Sequence, residues 1–304
     1  MDKPATDHRA WIAVAVCLAG VAALSAMDAL MKGAALAAGA YSAALLRAAM
    51  AGSATLPIWL VAERRRIPRP VLRLHILRGV VSAFMALSFF YALTKLPIAE
   101  TIAISFIAPL VALYLAAVWL GERIERRAIV ASLIGFTGTL VIVGGRLGGT
   151  GADGEALKGI AAILFSAVLY AANIVIIRRQ ATLAGPVEAT LFHGGVSALT
   201  LGMAAPFFFE MPAAAVLLPI AGAAGLTVAG AMAISWAYAR AEAQVLIPLE
   251  YSGFIWAAFF GWLAFGEGVS LTTLCGTALI TGACLIAARP RRRTFAAAAQ
   301  LQDL

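Results

Sequence analysis

The chain has 304 residues, a formal net charge of +8 and 62% hydrophobic residues, while only 12% of its residues are charged. Soluble domains usually carry about 25% charged residues, which cover their surface. A mean hydropathy of +0.93 excludes a soluble globular domain and indicates a protein of the lipid bilayer, where each spanning helix needs about 20 apolar residues. Ten such helices leave no room for a large soluble domain.

Ten apolar segments follow one another along the chain, separated mostly by short loops. Backbone groups in lipid must satisfy one another, and these segments lack the alternating pattern of barrel strands, so each is predicted to be an α-helix. The predicted fold class is therefore an all-α polytopic membrane protein. The predicted helices span residues 11–31, 43–62, 75–94, 98–120, 128–145, 159–178, 187–208, 214–237, 244–265 and 271–288.

The positive charges predict the orientation of these helices. With the N-terminus in the cytoplasm, 17 of the 23 Lys and Arg residues fall on the cytoplasmic side, two fall within spans and four fall outside, namely Lys32, Lys95, Arg146 and Lys158. Cytoplasmic loops of membrane proteins carry the excess of Lys and Arg. Both termini are therefore predicted to be cytoplasmic, in a multi-pass protein of the cell inner (plasma) membrane.

The chain also repeats itself. Gly121-Glu122, which follows an apolar run, reappears as Gly266-Glu267, a shift of 145 residues. The same shift relates two pairs of polar residues, Asp28 with Asn173 and Ser105 with Glu250. Each half then holds five helices, and because five is odd, the second copy must enter the membrane in the opposite sense. Inverted repeats of this kind bind substrate near the membrane midplane, between the two halves.

This repeat predicts the domain organisation. Residues 1–10 form a cytoplasmic N-terminus, 11–145 the first repeat, 146–158 a Gly-rich linker, 159–288 the second repeat and 289–304 a basic cytoplasmic tail. The linker contains a GxGxxG pattern like that of dinucleotide-binding proteins. We interpret it as a loop, because it follows a spanning helix rather than a strand and lacks the acidic residue about 20 positions further on.

Motifs in both halves resemble the EamA-type repeat of the drug/metabolite transporter superfamily. The first copy is carried by Ser88-Phe-Phe-Tyr91-Ala-Leu, Ala99-Glu-Thr-Ile-Ala103-Ile-Ser-Phe-Ile-Ala-Pro109, Leu120-Gly121-Glu122 and Gly135-Phe-Thr-Gly138. The second copy runs from Ala233 to Ile286 and includes Pro248-Leu-Glu250-Tyr251 and Phe265-Gly266-Glu267. The resemblance covers about residues 11–288. It implies a ten-helix exporter of amino acids or other metabolites, and it is closest to exporters of aromatic amino acids.

The prolines depart from the repeat. Pro109 of the fourth predicted helix corresponds to Phe254 at the shift of 145 residues, whereas Pro248 of the ninth corresponds to Ala103. Proline bends or breaks a helix because it lacks an N–H group and crowds the preceding turn. The ninth helix is therefore predicted to bend one to two turns away from the position at which the fourth bends.

Ionisable and polar side chains inside membrane helices are costly, and they mark functional sites. Asp28 is predicted about one turn from the outer end of the first helix and Arg47 one to two turns from that of the second, where they form either a structural salt bridge or an outer gate. Arg47 is also suited to bind the carboxylate of an amino acid. Asn173 is the repeat counterpart of Asp28, and His193 lies within one residue of the counterpart of Arg47, so both are predicted to contribute to the inner side. The alternatives are an interhelical hydrogen bond for Asn173 and a packing role for His193.

Glu250 lies beside Tyr251 and about two turns inside the ninth predicted helix, with Arg78 at a comparable depth on the third. Desolvation favours the neutral form of a carboxyl group, whereas a nearby cation favours its charged form. Glu250 is therefore either a proton-coupling site or the ion-pair partner of Arg78, unless both side chains extend to the membrane interface.

Further polar and aromatic residues complete the predicted substrate-binding or gating set. Aromatic side chains deep in a span can line an apolar cavity that accepts a substrate by stacking, and helix packing is the alternative for each of them. The additional members of the set are Ser82, Tyr91, Ser105, Tyr170, Trp236 and Tyr251.

The predicted function is a secondary or facilitative transporter that exports amino acids or related small metabolites by alternating access. The alternatives are an integral membrane enzyme and a channel-like pore for small metabolites. The sequence shows no nucleophile with its base, no ATP-binding loop and no charged pore ring. No cofactor or metal is expected. The expected partners are a small-molecule substrate and the lipid bilayer rather than nucleic acid, with proton coupling left open.

Overall fold

The computed structural model describes residues 5–62, 66–120, 126–147, 154–180, 183–238, 240, 246 and 249–288. Every regular element in this part of the chain is helical, as expected where backbone groups must bond within their own segment. The helices are α1 (Ala5–Ala38), α2 (Ala40–Ala62), α3 (Arg69–Lys95), α4 (Ile98–Ser105), α5 (Ala108–Leu120), α6 (Arg126–Leu147), α7 (Gly154–Gln180), α8 (Pro186–Gly202), α9 (Ala205–Phe208), α10 (Ala214–Tyr238), α11 (Gly253–Phe265) and α12 (Leu271–Ala288).

Six helices of the described residues are long and apolar enough to cross a membrane, and they lie at Trp11–Ala38, Ala40–Val61, Arg69–Lys95, Ile129–Leu147, Gly154–Ile177 and Ala214–Ile234. Shorter apolar helical stretches lie at Gly253–Phe265, at Leu271–Ile286 and, across the turn between α4 and α5, at Ile98–Ala112. Large apolar side chains cover much of the outer surface; Leu199, for example, is 73% exposed. The chain is a multi-pass helical membrane protein, which confirms the predicted class.

The first helix is longer than predicted. It continues past Met31 through Lys32 to Ala38, and it stops at Gly39, whose φ of 79° is readily adopted by a residue without a Cβ. Asp28 therefore lies about 15 Å from the end of α1 at 1.5 Å per residue, not one turn from it. The extension also moves Lys32 from the predicted loop into a helix, where its side chain is buried.

The fourth and ninth predicted helices are both interrupted. The first interruption is a turn at Phe106 and Ile107, between α4 and α5, and the second is a turn at Tyr251 and Ser252, immediately before α11. The two turns are separated by 145 residues, the repeat shift of the sequence. The prediction that the ninth helix bends one to two turns away from the equivalent position is therefore wrong.

Local residues explain why the helices break at these turns. Pro109 is the second residue of α5 and has no N–H to donate to Ser105 across the break. Gly253 opens α11 against α1, where Ser25 Oγ donates to its carbonyl oxygen at 3.4 Å. The rings of Phe106 and Tyr251 meet edge to face with centroids 5.1 Å apart. The two breaks therefore contact each other inside the bundle.

Four pairs of helices pack against each other, and the set of pairs stays the same when each helix is replaced by its counterpart in the other half. α1 packs on α10 and α3 packs on α7, while α2 packs on α8 and α6 on α12. At the shift of 145 residues, α1 corresponds to α7 and α3 to α10, so the first two pairs are equivalent. The other two pairs each join a helix to its own counterpart. This is the packing pattern that a two-fold relation between the halves produces.

Two glycines allow α6 and α12 to pack closely. A Cβ built on Gly138 would lie 2.7 Å from the carbonyl oxygen of Gly276, and one on Gly276 would lie 2.6 Å from that of Gly138. Small residues at such positions let membrane helices approach until their backbones touch. The α6–α12 contact therefore depends on the absence of both side chains.

Gly276→Ala is expected to destabilise the protein, because the new methyl group overlaps the backbone of α6 and overpacking typically costs about 1–3 kcal/mol. Gly282 lies on the same helix with open space around its Cβ position. Gly282→Ala, the matched control, should be neutral or slightly stabilising, since alanine favours the helix. Thermal unfolding of purified protein in detergent compares the two variants. Equal midpoints would contradict the close contact.

Candidate functional site

Most unpartnered polar atoms of the bundle belong to residues that the sequence singles out. In the described residues, eight buried side-chain nitrogen or oxygen atoms have no hydrogen-bond partner. Five of them belong to predicted site residues: Arg47 Nε, Arg78 Nε, Ser82 Oγ, Asn173 Oδ1 and His193 Nδ1. A buried polar group without a partner is costly in a protein interior. These five residues, together with Asp28, are called the central polar cluster.

Asp28 and Arg47 form one side of this cluster. Both are buried, at 8% and 9% exposure, and each charge acts on the other electrostatically. No ion pair joins the two described side chains. Arg47 instead donates to Thr227 Oγ1 at 3.4 Å and lies over the ring of Phe90, 5.1 Å from its centroid. The guanidinium is thus placed between helices of both halves, with its Nε free for another acceptor.

Arg78 and His193 are two further members. The charges of Arg47 and Arg78 both act on the His193 ring, so the three residues lie within electrostatic range of one another. Arg78 donates a hydrogen bond to Gln180, and no ion pair joins it to Glu250. The predicted alternative in which Arg78 pairs with Glu250 is therefore not the arrangement found here.

Ser82 and Asn173 lie at the same level on antiparallel helices. Two hydrogen bonds join α3 and α7 on either side of this level. Arg78 donates to Gln180 on one side, and Ser166 Oγ donates to the Met85 carbonyl at 2.9 Å on the other. Ser82 and Asn173 are 1% and 4% exposed. Their oxygens, which have no partner in the described residues, therefore add two hydrogen-bonding groups to the central polar cluster. Asn173 and His193 are not hydrogen bonded to each other, although both belong to this cluster.

Glu250 and Tyr170 are exposed side chains that interact electrostatically. Tyr170 is 41% exposed although it lies in the middle of α7, and Glu250 is also exposed. The charge of Glu250 acts on Tyr170, on Tyr251 and on Cys17 of α1. A carboxylate in contact with lipid would be far costlier than one in a polar cavity. The charge of Glu250 reaches residues of α1, of α7 and of the turn before α11.

The other predicted residues have local partners. Ser105 Oγ donates to the carbonyl of Thr101, one turn back in α4. Tyr91 lies near the end of α3, where the Lys95 ammonium sits 5.7 Å from its ring centroid. Trp236 is 37% exposed near the end of α10 and stacks under the Arg240 guanidinium at 4.0 Å. These contacts join neither Tyr91 nor Trp236 to the central polar cluster.

An apolar cleft of about 480 Å³ lies between α1, α10 and α11. Its lining is mostly alanine, with Leu30, Val216, Pro219, Phe260 and Phe265. It contains no polar side chain that could orient a polar substrate. The polar cluster, rather than this cleft, is therefore the candidate site. In the part of the chain that the structure describes, no group of three or more His, Cys, Asp or Glu residues could hold a metal ion.

A buried ion pair that the sequence analysis did not predict joins α1 to the ends of three other helices. Lys32 of α1 pairs with Glu267, which follows α11. The Lys32 ammonium also donates to the Leu96 carbonyl at 2.7 Å, just after α3, and the other Glu267 oxygen accepts from Ile98 N at 2.8 Å, at the start of α4. Each charge thus satisfies an unpaired backbone group at a helix end. Glu100 and Arg146, whose charges meet at 4.0 Å, lie beside this pair.

The Gly-Glu motif explains how Glu267 reaches this position. Gly266 has a φ of 67°, which turns the chain back so that the Glu267 N–H donates to the Gly261 carbonyl at 3.2 Å. A Cβ on Gly261 would lie 2.8 Å from Glu267 Oε2, so that glycine leaves room for the carboxylate. The Gly-Glu motif reveals the sequence repeat, and it is also the feature of the sequence that could have indicated Glu267 as one partner of this ion pair. Its first copy, Gly121-Glu122, lies outside the described residues.

Lys32→Met is expected to destabilise the protein by about 3–5 kcal/mol, because it leaves Glu267 buried without its cation. Adding Glu267→Gln should recover part of the loss, which a double-mutant cycle in thermal or denaturant unfolding would measure. Lys158 forms an exposed pair with Glu155, so Lys158→Met is the control and should leave the midpoint unchanged. Strictly additive effects of the two substitutions would contradict the coupling.

Comparisons with known proteins agree with this arrangement. One crystal structure aligns with 91% of this chain over 96% of its own chain length. Its TM-score of 0.61 at 21% identity shows a shared fold. The pseudopaline exporter CntI of Pseudomonas aeruginosa is 27% identical over 88% of this chain and 93% of its own length. A riboflavin transporter of Rhizobium johnstonii is 27% identical over 72% of this chain and 71% of its own. An S-adenosylmethionine uptake transporter of Rickettsia bellii is 25% identical over 69% of this chain and 70% of its own length.

The profile of the EamA-like transporter family matches the chain twice, at residues 11–144 and 157–289. The resemblance drawn from the sequence motifs is confirmed. The relatives are named as transporters of small metabolites, and none of those cited is named as an enzyme. The chain is therefore a small-metabolite transporter, and it belongs to the EamA-like transporter family.

Proposed function

We propose that this protein exports amino acids or closely related small metabolites with a carboxylate group across the inner membrane by alternating access. The observation that carries the proposal is the central polar cluster, where buried nitrogen atoms of two arginines and a histidine have no partner in the described residues. Arginine presents a planar set of donors that matches a carboxylate. An anionic substrate group would supply the missing acceptors.

The remaining charges suit the amino group of the same substrate. Asp28 is buried opposite Arg47 without direct contact, and Glu250 lies near the accessible Tyr170. A zwitterion would place its carboxylate on the arginines and its ammonium on one of these acidic side chains. Tyr170 and Tyr251 would then be available to contact its apolar part.

Alternating access is supported by the relation between the halves. The helix breaks at Phe106 and Tyr251 lie one repeat shift apart and touch each other, and the helix pairs exchange when the halves are exchanged. These features favour two inverted five-helix repeats, residues 11–145 and 159–288, joined by the linker 146–158. Substrate sites of such transporters lie at the interface of the repeats.

The Lys32–Glu267 pair is the proposed outer gate, in place of the predicted Asp28–Arg47 pair. It connects α1 and the end of α11 to the junction between α3 and α4. Lys32 and Arg146 belong to the cations that the charge distribution assigns to the outer side. Opening the transporter at its outer side requires Lys32 and Glu267 to separate. Water that then hydrates the two charges would compensate for the lost ion pair.

The named relatives carry different metabolites, and both export and uptake occur among them. Their names cover pseudopaline export, riboflavin transport and S-adenosylmethionine uptake. The proposal of amino acid export therefore rests on the charges of the central polar cluster and on the sequence resemblance to aromatic amino acid exporters.

The proposed orientation predicts which positions an impermeant thiol reagent can reach in intact cells. In a background without the native Cys17, Cys275 and Cys284, new cysteines at Gly149 and Met211 should be labelled from outside. New cysteines at Arg66 and Arg292 should react only after the membrane is permeabilised, because the positive charges keep these segments in the cytoplasm. The opposite labelling pattern would contradict the inverted repeat.

Phenylalanine counterflow tests the proposed function. Purified protein in liposomes loaded with phenylalanine should take up labelled phenylalanine with saturable kinetics. Arg47→Gln should raise the half-saturating concentration about tenfold or more, because a charge-assisted hydrogen bond contributes about 1.5–3 kcal/mol. Arg69→Gln, at an exposed helix start, is the control. Absence of exchange would contradict amino acid transport, and a non-saturable conductance would indicate a channel.

The same liposomes test proton coupling, for which Glu250 is the candidate. If this carboxyl group carries the proton, Glu250→Gln should keep counterflow and lose uptake driven by a pH gradient, because an amide cannot release a proton. A wild-type protein whose uptake ignores the pH gradient would instead be a facilitative carrier or exchanger.

A further inference from the structure

A buried chain of polar side chains connects the start of α3, the end of α7 and the start of α8. Arg78 donates to the Gln180 side-chain oxygen, Gln180 Nε2 lies 2.6 Å from His75 Nδ1, and His75 Nε2 lies 2.9 Å from Glu188 Oε1. His75, Gln180 and Glu188 are 1%, 2% and 0% exposed. These three residues are called the Glu188 relay.

The direction of every hydrogen bond in the relay is determined by Arg78. A guanidinium can only donate, so Gln180 must present its oxygen to Arg78 and its amide nitrogen to His75. His75 Nδ1 then accepts, which leaves the ring proton on Nε2, where it is donated to Glu188. The relay therefore runs from a cation to a carboxylate through one amide and one neutral imidazole.

The surrounding packing holds the relay in one geometry. The His75 ring stacks on Phe192 with centroids 4.6 Å apart and an angle of 19° between the planes. α3 and α8 approach closely at Gly79, whose Cβ would lie 2.4 Å from Val196, and Ser197 donates to the Gly79 carbonyl at 2.9 Å. Neither the imidazole nor the helix that carries it can rotate freely.

One edge of Arg78 stays available after the relay is formed. Gln180 engages Nη1, while the buried Nε has no partner in the described residues. Ser82, one helical turn further along α3, presents an unpartnered Oγ, and the Arg78 charge acts on His193. The free edge of the guanidinium therefore belongs to the central polar cluster.

We propose that the Glu188 relay positions Arg78 to bind the carboxylate of the transported metabolite, an inference that rests on the proposed function. A free arginine side chain inside a membrane protein would extend towards water. The relay holds it at the depth of the cluster, and Glu188 supplies a compensating negative charge. Gln180, His75 and Glu188 are positioning residues that need not touch the substrate, whereas Arg78 does.

The protonation state of His75 tests the relay without reference to transport. The chain contains three histidines, so ¹⁵N-histidine labelling gives few signals, and His8→Gln and His193→Gln assign them. We expect His75 to carry its only proton on Nε2, and Gln180→Met to shift the Nδ1 signal because its donor is lost. A proton on Nδ1 in the wild-type protein would overturn the relay.

Transport of two related compounds tests the positioning role. Gln180→Met removes the hydrogen bonds of the relay with little change in side-chain volume. It should weaken phenylalanine as a substrate about tenfold or more, yet leave competition by phenylalaninamide nearly unchanged, because the amide lacks the carboxylate that Arg78 binds. Thr139→Val removes a buried hydroxyl that bonds only within α6, and it serves as the folding control.

The outcomes separate the relay from the proposed function. The Gln180→Met protein is compared at the same folded yield as Thr139→Val. If its apparent affinities for phenylalanine and phenylalaninamide fall equally, the positioning role is overturned. Absence of phenylalanine counterflow in the wild-type protein would contradict amino acid transport, while the histidine signals would still decide whether the relay exists. Retained carboxylate selectivity in Gln180→Met would also overturn the inference.

Discussion

A polar atom in the interior of a bilayer has no water to bond, so it either finds a partner within the protein or awaits a ligand. This protein shows both outcomes. Lys32 and Glu267 bond each other and the backbone at helix ends, and Arg78 is tied to Glu188 through two intermediate side chains. Other polar atoms, among them Arg47 Nε and Asn173 Oδ1, have no partner in the described residues. Five of the eight unpartnered buried atoms of the described residues belong to the candidate site.

The candidate site takes its position from two features of the backbone. Helices from both halves contribute to the central polar cluster, so a substrate bound there would contact α1, α2 and α3 as well as α7 and α8. The helix breaks meet through Phe106 and Tyr251, and Glu250 immediately precedes the second break. Interrupted helices in membrane proteins are tolerated where neighbouring protein or a polar cavity satisfies the freed backbone groups.

The sequence indicates which polar residues are buried in the membrane helices, but it does not indicate which residues they bond. Arg47, Arg78, Asn173 and His193 were recognisable because any such side chain in an apolar span is costly. Their contacts were not recognisable, because a partner lies on another helix and depends on how the two helices rotate and slide. Arg78 was matched to Glu250 by depth along the chain, whereas the structure pairs it with Gln180, the last residue of α7. Depth alone does not show which helices are neighbours.

The sequence by itself determined that the chain is a helical multi-pass membrane protein, because composition and uninterrupted apolar runs leave no other solution in lipid. It also revealed the family, since the Gly-Glu motif and its neighbours recur at a shift of 145 residues. Only the tertiary structure decided that the two helix breaks coincide at that shift, that α1 continues past Lys32, and that Lys32 meets Glu267. The reason is that proline spacing and hydropathy report local preference, whereas these features depend on contacts between residues far apart in the chain.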